Sequence, residues 1–160
     1  MSHSPAPRPG GEMPEIDETN KAIIEQLQED GRRPYATIAK AVGLSEAATR
    51  ARVQRLTEAG VMQIVAVTDP TQLGFPRQAM VGIRTHGAID EVADRISTFD
   101  EVDYCVITAG HYDLLAEVIA ESDERLLSII NTLRGVDGVA STETMLYLSL
   151  RKQAYNWGTR

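Results

Sequence analysis

The chain has 160 residues, 42% hydrophobic and 24% charged, with one cysteine and a net charge of −7. That length allows one or two domains with proper cores and excludes a large multidomain enzyme. No run approaches the roughly 18 apolar residues of a membrane helix, Met1–Glu15 lacks the apolar core of a secretory signal, and a lone Cys105 excludes an internal disulfide or a cysteine zinc cluster, so a cytoplasmic protein is expected.

The acidity is unevenly spread. Residues 16–68 carry seven basic and seven acidic side chains, whereas 69–160 carry eight and fourteen. A local basic face in the first half is compatible with the global charge, so nucleic-acid binding is not excluded there.

Residues 1–15 hold four of the seven prolines and show no apolar period, which predicts a disordered tail. Helical spacing begins at Ile16. Ile23, Ile24 and Leu27 form one face, with Asp17 as N-cap and Gly31 as stop. Pro34 fits the first turn of a second helix that buries Ile38, Ala39 and Val42 and ends at Gly43. Ser45 caps a third helix, which turns Thr49, Val53 and Leu56 inward and stops at Gly60. The β-branched run Val61–Thr68 predicts a strand or small hairpin. The expected first domain is therefore a helix-turn-helix over 16–66.

Two prolines and a glycine in Asp69–Pro76 suggest a linker, placed at 67–77. The period then changes. Ala79–Ile83 reads as a strand, and Ile89, Val92, Ala93 and Ile96 as an amphipathic helix. Val102–Thr108 and Leu114–Ala120 read as a hairpin around Ala109–Tyr112. Leu126, Leu127, Ile130 and Leu133 give a second helix, and Val139–Leu150 a long last strand. The order βαββαβ over 78–152 predicts a ferredoxin-like second domain, with a C-terminal tail at 153–160. The overall class is α+β. Two helices on one sheet face leave the other face for burial against a second copy.

Ala39, Gly43 and Ser45 are spaced as a helix-turn-helix requires. The alanine lets the helices approach, the glycine permits a positive φ in the turn, and the serine caps the helix that would enter the major groove. A wheel of that helix points Ala47, Ala48, Ala51, Gln54 and Arg55 outward, with Arg50 and Arg52 on the flanks. Alanines suit thymine methyls, Gln54 suits adenine, and the arginines, joined by Arg32 and Arg33, suit phosphates. An ordinary solvated face is the competing reading of the same arginines.

The second domain offers little chemistry. His86 and His111 have no metal-ligand spacing, Cys105 sits in an apolar strand where it packs, and there is no G-x-S-x-G, phosphate loop or H-E-x-x-H. Asp113 and Glu117 make a weak carboxylate pair. No enzyme and no cofactor are expected. The turn Gly110-His111-Tyr112-Asp113 has two readings. It suits an amino-acid zwitterion, with Asp113 for the ammonium group, turn N–H groups for the carboxylate and Tyr112 as a flat wall. It also suits a plain hairpin turn in which Asp113 satisfies local backbone.

The stretches IDETNKAIIEQLQEDGR, TIAKAVGLS, RVQRLTEAGVMQ, DPTQLG, AGHYDLL and the ending Gly138-Val139-Ala140-Ser141-Thr142-Glu143-Thr144 resemble, in order, the Lrp/AsnC family of feast/famine transcription regulators. The resemblance spans 16 to about 152. It implies a winged helix-turn-helix joined to a βαββαβ sensor domain, in a DNA-binding regulator that dimerises through its sensor sheet, assembles into tetramers, octamers or larger discs, and binds an amino acid between sensor domains. It assigns the effector to Gly110, His111, Tyr112 and Asp113, with Thr142 and Thr144 from the last strand. The sequence departs from the family pattern at Pro34, at Arg50, at Ile64-Val65 and at His111. A sequence-tolerant architectural DNA binder is the alternative function.

Overall fold

The computed structural model describes residues 16–154, 158 and 159. The predicted tail over 1–15 lies outside them. The chain forms two compact units. One comprises residues up to Ala66 together with Lys152–Arg160, and the other Val67–Arg151.

The first unit holds α1 (Glu18–Glu29), α2 (Tyr35–Val42) and α3 (Glu46–Glu58). Local chemistry sets each boundary. The Asp17 side chain accepts from Asn20 N at 2.7 Å and opens α1. Pro34 lies one residue before α2, and Gly43, at φ +70°, closes it. Ser45 caps α3 by accepting from Ala48 N at 3.1 Å. Ile23, Leu27, Ile38 and Val53 meet in one core, with Met62 against it. The end of the chain belongs here too: Gly158 N donates to Gln28 Oε1 at 3.0 Å and Thr159 Oγ1 to Glu25 Oε1 at 2.6 Å, both on α1.

The strand expected over Val61–Thr68 does not form, and residues 61–69 have no regular structure. Ile64, Val65 and Val67 are 47%, 67% and 58% exposed. β-branched residues favour extended backbone, but a strand needs a neighbour to accept its hydrogen bonds, and the described residues of this unit supply none.

The second unit opens with a short 3-10 turn over Pro70–Leu73, where Asp69 accepts from Thr71 N at 2.9 Å. There follow β1 (Arg77–Thr85), α4 (Ile89–Ile96), β2 (Val102–Ile107), β3 (Leu114–Ala120), α5 (Asp123–Arg134) and β4 (Val139–Leu146). The strands lie in the order β2-β3-β1-β4, all antiparallel. This is the predicted βαββαβ sheet. Its last strand is shorter than predicted because β1 begins at Arg77. Once Tyr147 N has bonded to Gln78 O at 2.9 Å, further residues have almost no partner backbone.

The two central strands, β1 and β3, alternate between the two faces. Ala79, Val81 and Ile83 of β1 and Leu114, Ala116, Val118 and Ala120 of β3 are buried with Val92, Ile96, Leu126, Ile130 and Leu133 of the helices. The intervening residues Met80, Gly82, Leu115, Glu117, Glu143 and Met145 share the helix-free face by register. Cys105, opposite Ala116, packs at the edge of the core, and burial raises its thiol pKa.

Candidate functional site

In the first unit the α2–α3 turn presents α3. Thr49 is fully buried and donates to Ser45 O at 3.1 Å, which locks the start of the helix. Ala47, Ala51, Gln54 and Arg55 are exposed, as the helical wheel expected, and so is the flanking Arg50, while Ala48 is half-buried rather than outward. Arg50 pairs with Glu46 at 3.1 Å and lies 5.0 Å from the centre of the Tyr35 ring, so it is braced between α2 and α3. Arg55 Nε reaches back to Ala51 O at 3.3 Å and Gln54 donates to Glu58 at 2.7 Å. Arg32 is exposed beside the α1–α2 turn.

Two of the expected phosphate ligands are engaged within the unit. Arg52 donates to Asp17 at 2.7 Å and to Asn20 at 3.0 Å, tying α3 to the start of α1. Its hydrogen bond holds the Asp17 carboxyl below the ordinary carboxylate pKa, helped by the Asn20 amide. Arg33 bonds Gln26 at 2.6 Å and Glu29 at 3.0 Å on α1. Both are half-buried: Arg52 braces α3 against the start of α1, and Arg33 ties the α1–α2 connection back onto α1. A helical wheel sees only which way a residue points, not whether a neighbouring helix has already claimed it.

In the second unit the hairpin turn before β3 is fastened to β1. Asp113 N donates to Ile83 O at 2.9 Å, and Asp113 Oδ2 accepts from Thr85 N at 2.7 Å and Thr85 Oγ1 at 3.2 Å. Thr108 N donates to Asp113 O at 2.9 Å, and Thr108 Oγ1 to Tyr112 O at 2.6 Å. One carboxylate oxygen of Asp113 is therefore committed to Thr85 of β1, 28 residues away, rather than to its own turn.

Tyr112 turns onto the helix-free face. A Cβ on Gly82 would lie 2.7–2.8 Å from three atoms of its ring, so the ring rests directly on the glycine. The hydroxyl donates to Glu143 on β4, and this bond raises the Tyr112 pKa. The His111 ring is exposed and stands edge-on to Tyr112, 4.8 Å between centres. Gly110 is exposed at the turn's tip.

Thr142 and Thr144 do not join this group. They pair with Ile83 and Val81 and so point to the helix-bearing face, where Thr142 Oγ1 accepts from Arg134 Nε at 2.9 Å. Thr144 Oγ1 is buried with no hydrogen-bond partner among the described residues. The residue between them, Glu143, is the one that reaches Tyr112. Sequence reasoning missed both Glu143 and Gly82. The available signal was a glycine inside an otherwise apolar strand, which marks a close approach. A 210 Å³ hollow lies away from this turn, beside α5, between Phe99, Glu101, Arg125, Ile129 and Leu133.

A second tyrosine–carboxylate pair lies on the same face. Burial, reinforced by a hydrogen bond to Glu117, pushes Tyr147 up to about 12. A folded pKa above the ordinary 10 means the folded chain holds the proton longer, so stability is intact below pH 10 and declines as pH rises from 10 towards 12. In a tyrosinate absorbance titration the wild type should show a late step that Tyr147→Phe removes. Coincident high-pH curves for the two proteins would refute the assignment.

A family model for the AsnC-type helix-turn-helix domain matches residues 16–57, and one for the Lrp/AsnC ligand binding domain matches 78–157. The chain is 33% identical to the HTH-type transcriptional regulator FL11 of Pyrococcus furiosus over 140 residues, 86% of this chain and 93% of the relative. It is 31% identical to the regulatory protein AsnC of Escherichia coli over 83% of this chain and 90% of the relative. The solved E. coli AsnC matches 88% of this chain and 97% of its own with a TM-score of 0.73 at 28% identity. A feast or famine regulatory protein from M. tuberculosis, solved with L-methionine, matches 86% of this chain and 95% of its own with a TM-score of 0.77 at 26% identity. With both modules matched in order along most of its length, the chain belongs to the Lrp/AsnC family of transcriptional regulators.

Proposed function

We propose that the chain is a cytoplasmic regulator that binds DNA through α3 and whose assembly or DNA binding responds to an amino acid held at the Gly110–Asp113 turn. The observation that carries this is the rigid turn, fastened to β1 by Asp113 and backed by Tyr112, in a ligand-binding domain whose M. tuberculosis counterpart was solved with L-methionine. The mechanism is linkage. An effector that prefers one assembly shifts the population toward it, and the assembly sets the spacing of α3 pairs along the duplex. Paired units imply half-sites about one helical turn apart. Sensor dimers that build tetramers, octamers or higher rings supply the assemblies.

The test is a thermal-shift screen against the twenty amino acids, with light scattering on each hit. A ligand at 100 times its Kd adds about 2.7 kcal/mol of stability. A single hit that also changes the assembly supports the reading. A protein that shifts with none of them is not an amino-acid sensor.

For DNA, the exposed Arg50 and Arg55 are phosphate contacts, and Arg52 supports the fold. Arg50→Ala and Arg55→Ala should each reduce the slope of log K against log salt by about one. Arg52→Ala should lower the melting temperature of the first unit and leave the slope unchanged. A slope that responds to Arg52 but not to Arg50 or Arg55 would reverse the assignment.

An architectural role with little sequence preference is the second reading. It is favoured by the composition of the α3 face, where Ala47 and Ala51 offer only methyl contacts and Gln54 is bonded to Glu58. Equal affinity for unrelated duplexes would establish it, and a defined footprint would dismiss it.

A further inference from the structure

The Tyr112 ring spans from the hairpin turn across β1 to β4. Gly82 and Glu143 are cross-strand partners, so their Cβ positions stand side by side on the helix-free face. Gly82 provides the floor and Glu143 the hydrogen-bond acceptor at the far end of the ring. The backbone of the same turn is tied at two further points, Asp113 N to Ile83 O and Thr85 N to Asp113 Oδ2. The turn is thus held on β1 through the Asp113 backbone and side chain, and on β4 through the Tyr112 hydroxyl and Glu143.

We propose that Glu143 is a positioning residue for the effector turn: by accepting a hydrogen bond from the Tyr112 hydroxyl it holds the ring flat on Gly82 and so fixes the Gly110–Asp113 backbone for a ligand. This rests on the effector reading above. It also changes what the ligand meets. The Tyr112 hydroxyl is committed to Glu143, so a bound amino acid contacts the turn backbone, His111 and the free edge of the ring rather than a spare phenolic donor. The bond from a neutral phenol to a carboxylate is of the stronger, charge-assisted kind, and the raised Tyr112 pKa agrees with it.

The test compares Glu143→Ala, Glu143→Gln and Tyr112→Phe in the full chain. Without ligand, Glu143→Ala should speed amide exchange at Thr85 and Asp113 by about tenfold, in line with the loss of one hydrogen bond to a charged group. Glu143→Gln should stay close to wild type, because its amide oxygen still accepts. In both Glu143 variants the Tyr112 hydroxyl should ionise at lower pH, a change that a merely structural role would not produce. With L-methionine as probe, Glu143→Ala should weaken binding about tenfold, Glu143→Gln should restore most of it, and Glu143→Ala should have no further effect in the Tyr112→Phe background. Unchanged exchange and titration in Glu143→Ala would overturn the proposal. Altered exchange with unchanged methionine affinity would overturn its ligand half. Failure of the wild type to bind methionine, or any other of the twenty amino acids used in its place, would count against the effector reading alone, with exchange and titration still deciding whether Glu143 positions the turn.

Discussion

Gly138→Val should lower the stability of the second unit by about 3 kcal/mol, the sum of two independent costs. Gly138 has φ +93°, a left-handed conformation that an L side chain adopts only under strain. A Cβ there would also lie 2.6 Å from Val92 Cγ2. Val92 is 2% exposed in the core beneath α4, and a β-branched side chain has no spare rotamer to retreat into. The clash must therefore move backbone. The backbone in question starts β4 and carries the Gly138 carbonyl that accepts from His86 N at 2.8 Å. At about 4–8 °C per kcal/mol for a domain of this size, the melting temperature should fall by more than about 12 °C. The check is a calorimetric scan of the wild type, Gly138→Val and the double variant with Val92→Ala. The double variant should be less destabilised than the two single effects summed, because removing the valine methyls relieves one cost and leaves the other. Strict additivity, or a single variant that melts with the wild type, would show that the site is not tight.

The same glycine shows how the two levels of reading differ. As a sequence letter it marks the end of a helix. Its contact with Val92, 46 positions away, depends on how α4 packs beneath the sheet and is not visible in any local pattern. The helices were legible because their signals are local: Asp17 and Ser45 cap as side chains beside their own helices, and apolar spacing marks the buried face. The strands β1 and β3 were legible for the same reason, with a period of two. Val61–Thr68 has the residues of a strand and no partner to make it one. Arg52 and Thr144 illustrate the remaining gap. Whether an arginine on a wheel is free for a phosphate depends on Asp17, 35 residues earlier in the chain. Whether a threonine or the glutamate beside it faces Tyr112 depends on the register of β4 against Gly82, and a shift of one residue would exchange them.

Gly82→Ala should weaken amino-acid binding at the turn at least tenfold while leaving the fold in place. The strand around Gly82 is hydrogen-bonded on both sides, with Leu115 of β3 opposite on one edge and Glu143 of β4 on the other. It therefore cannot retreat, and a methyl 2.7 Å from the Tyr112 ring must displace the ring. Once lifted, the hydroxyl leaves Glu143 and the turn loses its outer anchor, although Asp113 still holds its base. Overpacking costs about 1–3 kcal/mol, offset by about 0.4–1 kcal/mol from the lower entropy of the unfolded chain, so the unit remains folded. Binding suffers more than stability because the ligand needs the turn in one arrangement, and a loss of tenfold or greater is expected, equivalent to about 1.4 kcal/mol. Calorimetry with the amino acid that stabilises the wild type gives the affinity, and a melting curve of the same sample gives the stability. The double variant Gly82→Ala/Tyr112→Ala separates the causes. Removing the ring removes the clash, so stability should recover towards that of Tyr112→Ala, whereas binding should stay lost because the wall of the site is gone. Recovered binding in that double variant would mean that Tyr112 takes no part in holding the effector. Wild-type affinity in Gly82→Ala alone would mean that the ring's seat on the sheet is not what shapes the turn.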